Sequence, residues 1–292
     1  MRRTTDTIHM RLAGVRSRYL LDRRLAAALR GETARAPAAL LVDARMRRRQ
    51  AARVGALLEA AGPAPPVLGL AGGETVKDLD HLGRVYAWLA EHRLPRDGVL
   101  VGIGGGALLD LAGLAASTWA RGIRLVAVPT TLLAMVDAAL GGKTAINAAG
   151  LKNPVGTFHP ASVVLVDPGF LATLPRSEWR SGLAELIKSA IVGSPRLCAD
   201  LHRHRRELAG RFARGRRDRA VPQALRGLPW RDWILAAARV KARIVSADFR
   251  EAGPRQALNL GHTLGHALET HARCSHGEAI AVGMAAVARV AV

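Results

Sequence analysis

The sequence predicts two halves of different class: an α/β domain with a mostly parallel sheet over residues 1–175, and an all-α domain over residues 176–292. Three observations predict it. Short apolar runs in the first half each end at Gly, Pro or Asp. Segments between several of these runs have helical spacing, and alternation of strand with helix argues for a parallel sheet. From about Ser177 onward only helical patterns follow.

In chain order, Ala39–Val42 reads as a strand ending at Asp43, and Val67–Leu70 as a second, before the turn Ala71-Gly72-Gly73. Gly98–Ile103 is a third, closed by Gly104-Gly105-Gly106. Leu125–Val128 is a fourth, stopped by Pro129, and Val163–Val166 a fifth, ending at Asp167. Gly83–His92 and Ala107–Ala120 have helical spacing. Past Ser177, the stretches SEWRSGLAELIKSAIV, RDWILAAARVKARIVSADF, NLGHTLGHALETHA and GEAIAVGMAAVARVAV all read as helices. The boundary is placed near Pro175. A cleft between domains is a usual ligand site.

At 292 residues with 49% hydrophobic content, the chain suits one large domain or two ordinary ones with ample cores. No apolar run is long enough for a membrane span, and the first residues lack the apolar stretch of a signal peptide. Two cysteines, Cys198 and Cys274, form no framework and suit a reducing cytoplasm. A net charge of +20 favours anionic partners, either phosphorylated metabolites or nucleic acid without sequence preference. The densest basic block, His202–Arg219, contains a single aromatic, Phe212, so base stacking has little support. It reads as a solvated helix and loop, with no specific nucleic acid partner.

Of 43 basic residues only five are lysines: Lys77, Lys143, Lys152, Lys188 and Lys241. Arginine replaces lysine at a solvated surface. It does not where a compact ammonium or a titratable amine is needed, so the five lysines mark candidate functional positions.

Gly98–Gly113 reads as strand, Gly-rich turn and helix start, an arrangement whose backbone N–H groups can hold a pyrophosphate. In the usual dinucleotide fold a ribose-binding acid follows such a loop by about 20 residues. Here the acid at a strand end, Asp43, precedes it, which points to a nucleotide-binding domain of different topology. In the helical half, His262 and His266 at i, i+4 share a helix face, and His276 follows in SHGEA. Glu185 and Lys188, three apart, share a face of another helix. The imidazoles and the carboxylate can build a zinc site with open positions, which makes this a candidate metal-binding domain. Asp137 and Lys143 bracket Gly141-Gly142, which reads as a ligand loop or a structural turn.

Taken together, GGGALLDLAGLAA, RGIRLVAVPTTLLAMVDAALGGKTAIN, LKNPVG, FLATLP, GLAELIK and EAGPRQALNLGHTLGHALE with HGEAIAVGM resemble the 3-dehydroquinate synthases of the sugar phosphate cyclase superfamily. The likeness runs from about Asp43 to the last residue. It implies an NAD- and metal-dependent lyase, converting DAHP to 3-dehydroquinate and phosphate in the shikimate pathway. The steps it implies are transient oxidation, phosphate elimination, re-reduction and intramolecular aldol closure. It implies Glu185, His262 and His276 as ligands of Zn²⁺ or Co²⁺, with His266 a neighbouring proton-transfer group. NAD falls to Asp43, Glu74, Lys77, Gly105, Gly106, Asp110, Thr130, Thr131, Lys152, Phe170 and Thr173, with Lys143 alongside. The resemblance implies that Asp137, Lys143, Asn153, Lys188, Lys241, Arg255 and Asn259 face the substrate. The resemblance further implies that Arg121 reaches the substrate phosphate of a neighbouring subunit, and so a homodimer.

The sequence departs from the family in three respects, one of them a short loop between His266 and His276. The family's helical half usually continues past the HGEA helix, whereas this sequence stops at Val292, so truncation is one expectation. The usual Asp-Ser-Ser-Val-Gly-Gly reads DAALGG here, without hydroxyls at Ala138 and Ala139. The alternatives are a cyclase making an amino-dehydroquinate or another cyclitol, a metal-dependent NAD polyol dehydrogenase, and a non-catalytic polyanion binder.

Overall fold

The computed structural model describes residues 6–212, 227–271 and 274–290, apart from the side chain of Thr270. They form two compact units, one of Met1–Thr130 with Ala138–Phe170 and one of Thr131–Asp137 with Leu171–Val292.

The first unit is built on a seven-stranded sheet of β1 (Asp6–Leu12), β2 (Val15–Leu21), β3 (Ala38–Asp43), β4 (Val67–Leu70), β5 (Val99–Gly104), β6 (Arg124–Pro129) and β9 (Val163–Val166). Their spatial order is β1-β2-β9-β6-β5-β3-β4. All neighbours pair in parallel except β1 with β2. The five expected strands are present, within a residue at each end. From β3, next to the edge of the sheet, the chain steps outward to β4 and then returns to the other side of β3 as β5. That reversal leaves a crevice at the carboxyl ends of β3 and β5, where doubly wound sheets take ligands. Asp43 and the Gly104-Gly105-Gly106 turn both sit there, although 61 residues separate Asp43 from Gly104 in sequence.

Helix α1 (Leu25–Thr33) follows the first hairpin, while α2 (Ala44–Arg49) and α3 (Ala51–Ala60) link β3 to β4. Helix α4 (Leu79–Glu91) starts a turn earlier than the apolar spacing indicates. The Asp78 carboxylate supplies the cap, accepting from the His81 backbone N–H at 2.7 Å. Helix α5 (Gly106–Thr118) buries most of its surface, because the sheet lies on one side and a two-stranded hairpin on the other. This hairpin, β7 (Lys143–Ala148) and β8 (Leu151–Phe158), was not expected from the sequence, nor was the β1–β2 pair. Both turn through Ala-Gly with positive φ at each residue: 47° and 85° at Ala13-Gly14, 51° and 74° at Ala149-Gly150. This is the turn that matches strand twist, and it is usually announced by Asn-Gly or Asp-Gly. Alanine in the first position hides it. Pro154 further disguises β8, an exposed strand on which a missing N–H is tolerated.

Gly113 lets the hairpin seat on α5, since a Cβ there would lie 2.3 Å from Thr144 Cγ2. A run of hydroxyls locks the contact. The Thr144 and Thr157 hydroxyls lie 2.9 Å apart, and Thr157 Oγ1 donates to Ser117 Oγ at 2.8 Å.

The second unit is helical, with no strand among its described residues. It comprises α6 (Arg176–Gly193), α7 (Pro195–Arg203), α8 (Arg205–Phe212), α9 (Trp230–Ala247), α10 (His262–His271) and α11 (His276–Val290). The expected division at residue 175 differs from these units in two ways. The unit boundary falls between Phe170 and Leu171, and Thr131–Asp137 belongs with the helices. Packing explains the second difference. Leu132, Ala134, Met135 and Val136 are buried, and Leu132 lies so close to α6 that a Cβ on Gly182 would come within 2.5 Å of its Cβ. An aromatic cluster of Trp179, Phe212, Trp230 and Trp233 ties α6, α8 and α9 together. The basic block begins in α7 and α8, while its part from residue 213 lies outside the described residues. No helix among the described residues is long and apolar enough to cross a membrane.

Gly113→Ala should therefore lower stability by about 1–3 kcal/mol through overpacking against Thr144. Chemical denaturation of the folded protein measures it, and unchanged stability would count against this seating of the hairpin.

Candidate metal centre and anion cluster

Three helices of the second unit each contribute one side chain to a point. Helix α6 carries Glu185, α10 opens with His262 and α11 opens with His276. Glycines let these helices approach closely. A Cβ on Gly277 would fall 2.2 Å from Ser181 Cα on α6, and one on Gly283 would fall 2.1 Å from the Gly261 carbonyl oxygen. Gly261 itself has φ 79°, a conformation that favours glycine. The start of α11 is pinned twice by Glu278. Its Oε2 accepts from the Ser275 N–H at 3.1 Å and hydroxyl at 3.0 Å, and its Oε1 lies 3.5 Å from the Arg180 guanidinium on α6.

Ligand atoms of Glu185, His262 and His276 lie within 4.8 Å of one another. Glu185 Oε1 is 4.0 Å from His262 Nε2 and 3.7 Å from His276 Nε2, and it has no hydrogen-bond partner although the residue is 1% exposed. A buried carboxylate oxygen without a hydrogen bond is costly. One facing two imidazole nitrogens at these separations fits a cation between them, and the donor set suits Zn²⁺ or Co²⁺. Burial, reinforced by the charge of Lys188, lowers the His262 imidazole to about 4, so it is neutral and able to ligate at neutral pH. His266 is exposed, its ring centroid 5.3 Å from that of His262, close to the three-residue cluster but outside it.

Alongside lies a buried chain of charges. Lys188 pairs with Glu185, its Nζ is 3.9 Å from Asp137 Oδ1, and Lys241 Nζ donates to that same oxygen at 2.5 Å. A single π-helical turn, Ala134–Ala138, presents Asp137 to both lysines. Burial alone would raise the Asp137 carboxyl, but Lys241 and Lys188 outweigh it and hold it well below the usual carboxylate range. Burial pulls Lys188 down while Asp137 and Glu185 push it up, with a net rise that keeps it charged. For Lys241 burial wins and the ammonium is lowered. Arg255 is buried, donating to the Phe249 carbonyl at 2.5 Å. Asn259 is exposed and donates to Glu251 Oε1 at 2.6 Å.

The first unit holds most of the residues expected from the sequence to bind a nucleotide. Asp43 Oδ1 caps α2 through the backbone N–H groups of Arg45 at 2.7 Å and Met46 at 3.0 Å. A Cβ on Gly72 would meet Asp43 Oδ2 at 1.9 Å, so the β4 turn must carry glycine there. Gly105 opens α5 with no side-chain cap, and Gly106 follows it. Thr130, at the end of the adjacent β6, has a buried hydroxyl without a hydrogen-bond partner. Glu74 is exposed in the turn before Lys77. Lys77 is 3% exposed, and its Nζ donates to Asp110 Oδ2 and Asn153 Oδ1, each at 2.6 Å. Asn153, expected against substrate, is thus engaged with Lys77. Phe170 is fully buried with the Arg53 guanidinium 5.7 Å above its ring. Lys143, Lys152 and Arg121 are exposed, Arg121 in a left-handed backbone with φ 66°. Of the second unit's two remaining residues, Thr131 Oγ1 accepts from the Ala134 N–H at 3.2 Å, and Thr173 is half-buried beside the start of α6.

Sequence reading missed Glu251, Glu269 and Glu278. Glu278 was legible, as the fourth residue of Ser275-x-x-Glu278, a capping box. Glu269 lies seven residues after His262, hence on the same face of α10. Gly277→Ala should force α11 away from α6, costing about 1–3 kcal/mol of stability and weakening Zn²⁺ binding. Calorimetric titration with Zn²⁺ tests this, and unchanged affinity would contradict the close approach of Gly277 to Ser181.

Comparison with known proteins agrees with this geometry. Residues 67–181 match the family model described as 3-dehydroquinate synthase N-terminal, and residues 182–292 match its C-terminal counterpart. The 3-dehydroquinate synthase of Gloeobacter violaceus is 44% identical over 248 residues, covering 84% of this chain and 64% of that protein. The one from Thermobifida fusca is 46% identical over 221 residues, covering 75% and 56%. The chain thus spans roughly 60% of the length of the curated relatives it matches. Among solved structures, the 2-epi-5-epi-valiolone synthase of Streptomyces hygroscopicus subsp. jinggangensis, with NAD⁺ and Zn²⁺ bound, superposes with a TM-score of 0.77 at 30% identity over 91% of this chain and 72% of that one. A 2-deoxy-scyllo-inosose synthase complexed with carbaglucose-6-phosphate, NAD⁺ and Co²⁺ gives 0.76 at 25% identity over 96% and 75%. With both halves of the chain matched, this chain belongs to the 3-dehydroquinate synthase family.

Proposed function

We propose that the protein is a 3-dehydroquinate synthase, an NAD- and metal-dependent carbon–oxygen lyase that converts DAHP to 3-dehydroquinate and phosphate. The observation that carries this reading is the partnerless Glu185 oxygen facing His262 and His276, beside the buried cations of Lys188, Lys241 and Arg255. A metal triad set among fixed positive charges suits a small polyanion held through several steps. The solved neighbours that hold NAD⁺ with Zn²⁺ or Co²⁺ support the same cofactors here.

Glu185, His262 and His276 would hold the metal. Asp43, Glu74, Lys77, Gly105, Gly106, Asp110, Thr130, Thr131, Lys152, Phe170 and Thr173 would hold NAD. When bound, the metal supplies Lewis-acid polarisation of substrate hydroxyls, and NAD supplies a hydride acceptor whose hydride is returned within the turnover. The chain's own groups do the rest. Asp137 stays ionised and anchors the Lys241 ammonium, so neither side chain must reorganise when an anionic substrate arrives. Lys188 stays charged and offsets the Glu185 carboxylate. Arg255, buried with its guanidinium held at the Phe249 carbonyl, would supply a fixed positive charge toward a carboxylate or phosphate. Asn259 would read a substrate hydroxyl, with Glu251 orienting its amide. His266 is placed to relay a proton near the metal. Lys143 would stabilise the departing phosphate. The exposed Arg121 would reach the phosphate bound by a partner subunit in a homodimer. Cytoplasmic location goes with this reading, and the two cysteines, neither in a disulfide, suit it.

Ala138 and Ala139 in place of two serines favour a second reading, a sister cyclase acting on another sugar phosphate. The 41–46% identity to 3-dehydroquinate synthases against 25–30% to the other cyclases supports the first.

Phosphate release from DAHP in the presence of NAD and Zn²⁺ should be abolished by chelator and restored by Zn²⁺. No release by folded, metal-loaded protein would overturn the reading, and release only from a different sugar phosphate would select the sister cyclase. Net NADH accumulation would instead indicate a dehydrogenase. Lys143→Ala should abolish turnover while leaving NAD binding largely intact. Near-normal turnover in that variant would remove Lys143 from the phosphate step.

A further inference from the structure

We propose that Glu269 is a positioning residue of the metal centre, holding His276 in the tautomer and orientation that ligate. This rests on the metal reading above and adds a residue to it. His276 Nδ1 lies 2.9 Å from Glu269 Oε1, while its Nε2 faces Glu185 Oε1 at 3.7 Å. An imidazole whose Nδ1 carries the proton and donates it to a carboxylate must present the Nε2 lone pair, here toward the partnerless oxygen of Glu185.

The two ligand imidazoles are oriented unequally. His262 Nδ1 meets a neutral acceptor, the Leu260 carbonyl, at 3.3 Å, whereas His276 meets a carboxylate at shorter range. Charge-assisted hydrogen bonds are roughly twice as strong as neutral ones. The His276 ring therefore depends on Glu269 more than the His262 ring depends on its carbonyl.

The test uses the full chain stripped of metal and titrated with Co²⁺, reading affinity and visible absorption, in the parent, Glu269→Met and Glu269→Gln. Met has nearly the same length and no acceptor, while Gln keeps a neutral acceptor. Glu269→Met should bind Co²⁺ about 10- to 100-fold more weakly, with a changed absorption band and an unchanged melting temperature of the metal-free protein. Gln should recover part of the loss, which a merely space-filling role would not explain. Co²⁺ affinity in Glu269→Met within about twofold of the parent, with the same spectrum, would overturn the positioning role. Failure of the parent itself to bind Co²⁺ would overturn the metal reading instead, and this inference with it.

Discussion

The burial of Glu185 next to Lys188 is the constraint on which the helical unit is organised. Removing two charges from water costs several kcal/mol each unless further partners compensate. The pair therefore draws in Asp137, and through Asp137 the ammonium of Lys241. It also leaves one carboxylate oxygen without a hydrogen bond, facing two imidazoles. Each requirement recruits a different element: the π-helical turn for Asp137, α9 for Lys241, and the starts of α10 and α11 for the histidines. A cluster this polar is stable only when complete, because each missing partner exposes another to an unpaired buried charge.

The glycines make that cluster sterically possible. Gly182 admits the Leu132 segment against α6, Gly277 admits α11, and the contact of Gly283 with Gly261 brings α10 and α11 together. None of these glycines has a side chain to bind with. Their role is distance, since a methyl group at any of them would part helices whose polar atoms need to sit within a few ångströms. The first unit uses Gly72 in the same way beside Asp43, and Gly113 beneath the β7–β8 hairpin.

Much of this was legible in the sequence. The parallel strands announced themselves as apolar runs, because strands buried on both faces need no alternation. The five lysines divide informatively. Lys77, Lys188 and Lys241 are buried and paired with carboxylates, which explains their retention in a chain that uses arginine elsewhere. Lys143 and Lys152 are exposed on the hairpin, so solvation does not account for them. The two hairpins were illegible because their turns use alanine where asparagine or aspartate would signal a left-handed residue.

By itself, the sequence determined the class of each half and singled out most of the candidate side chains, since apolar periodicity and the spacing of histidines on a helix are local properties of the chain. Only the tertiary structure decided which of those side chains meet. Asp43 lies at the β3–β5 switch point because of strand order, which no local pattern encodes. Asp137 joins the helices across a boundary that the sequence draws elsewhere, because four buried apolar residues leave the first unit to pack on the second unit's own core. Of the three imidazoles, His262 and His276 face Glu185, while His266 stands one turn along, where its spacing from His262 alone would have made it an equal candidate.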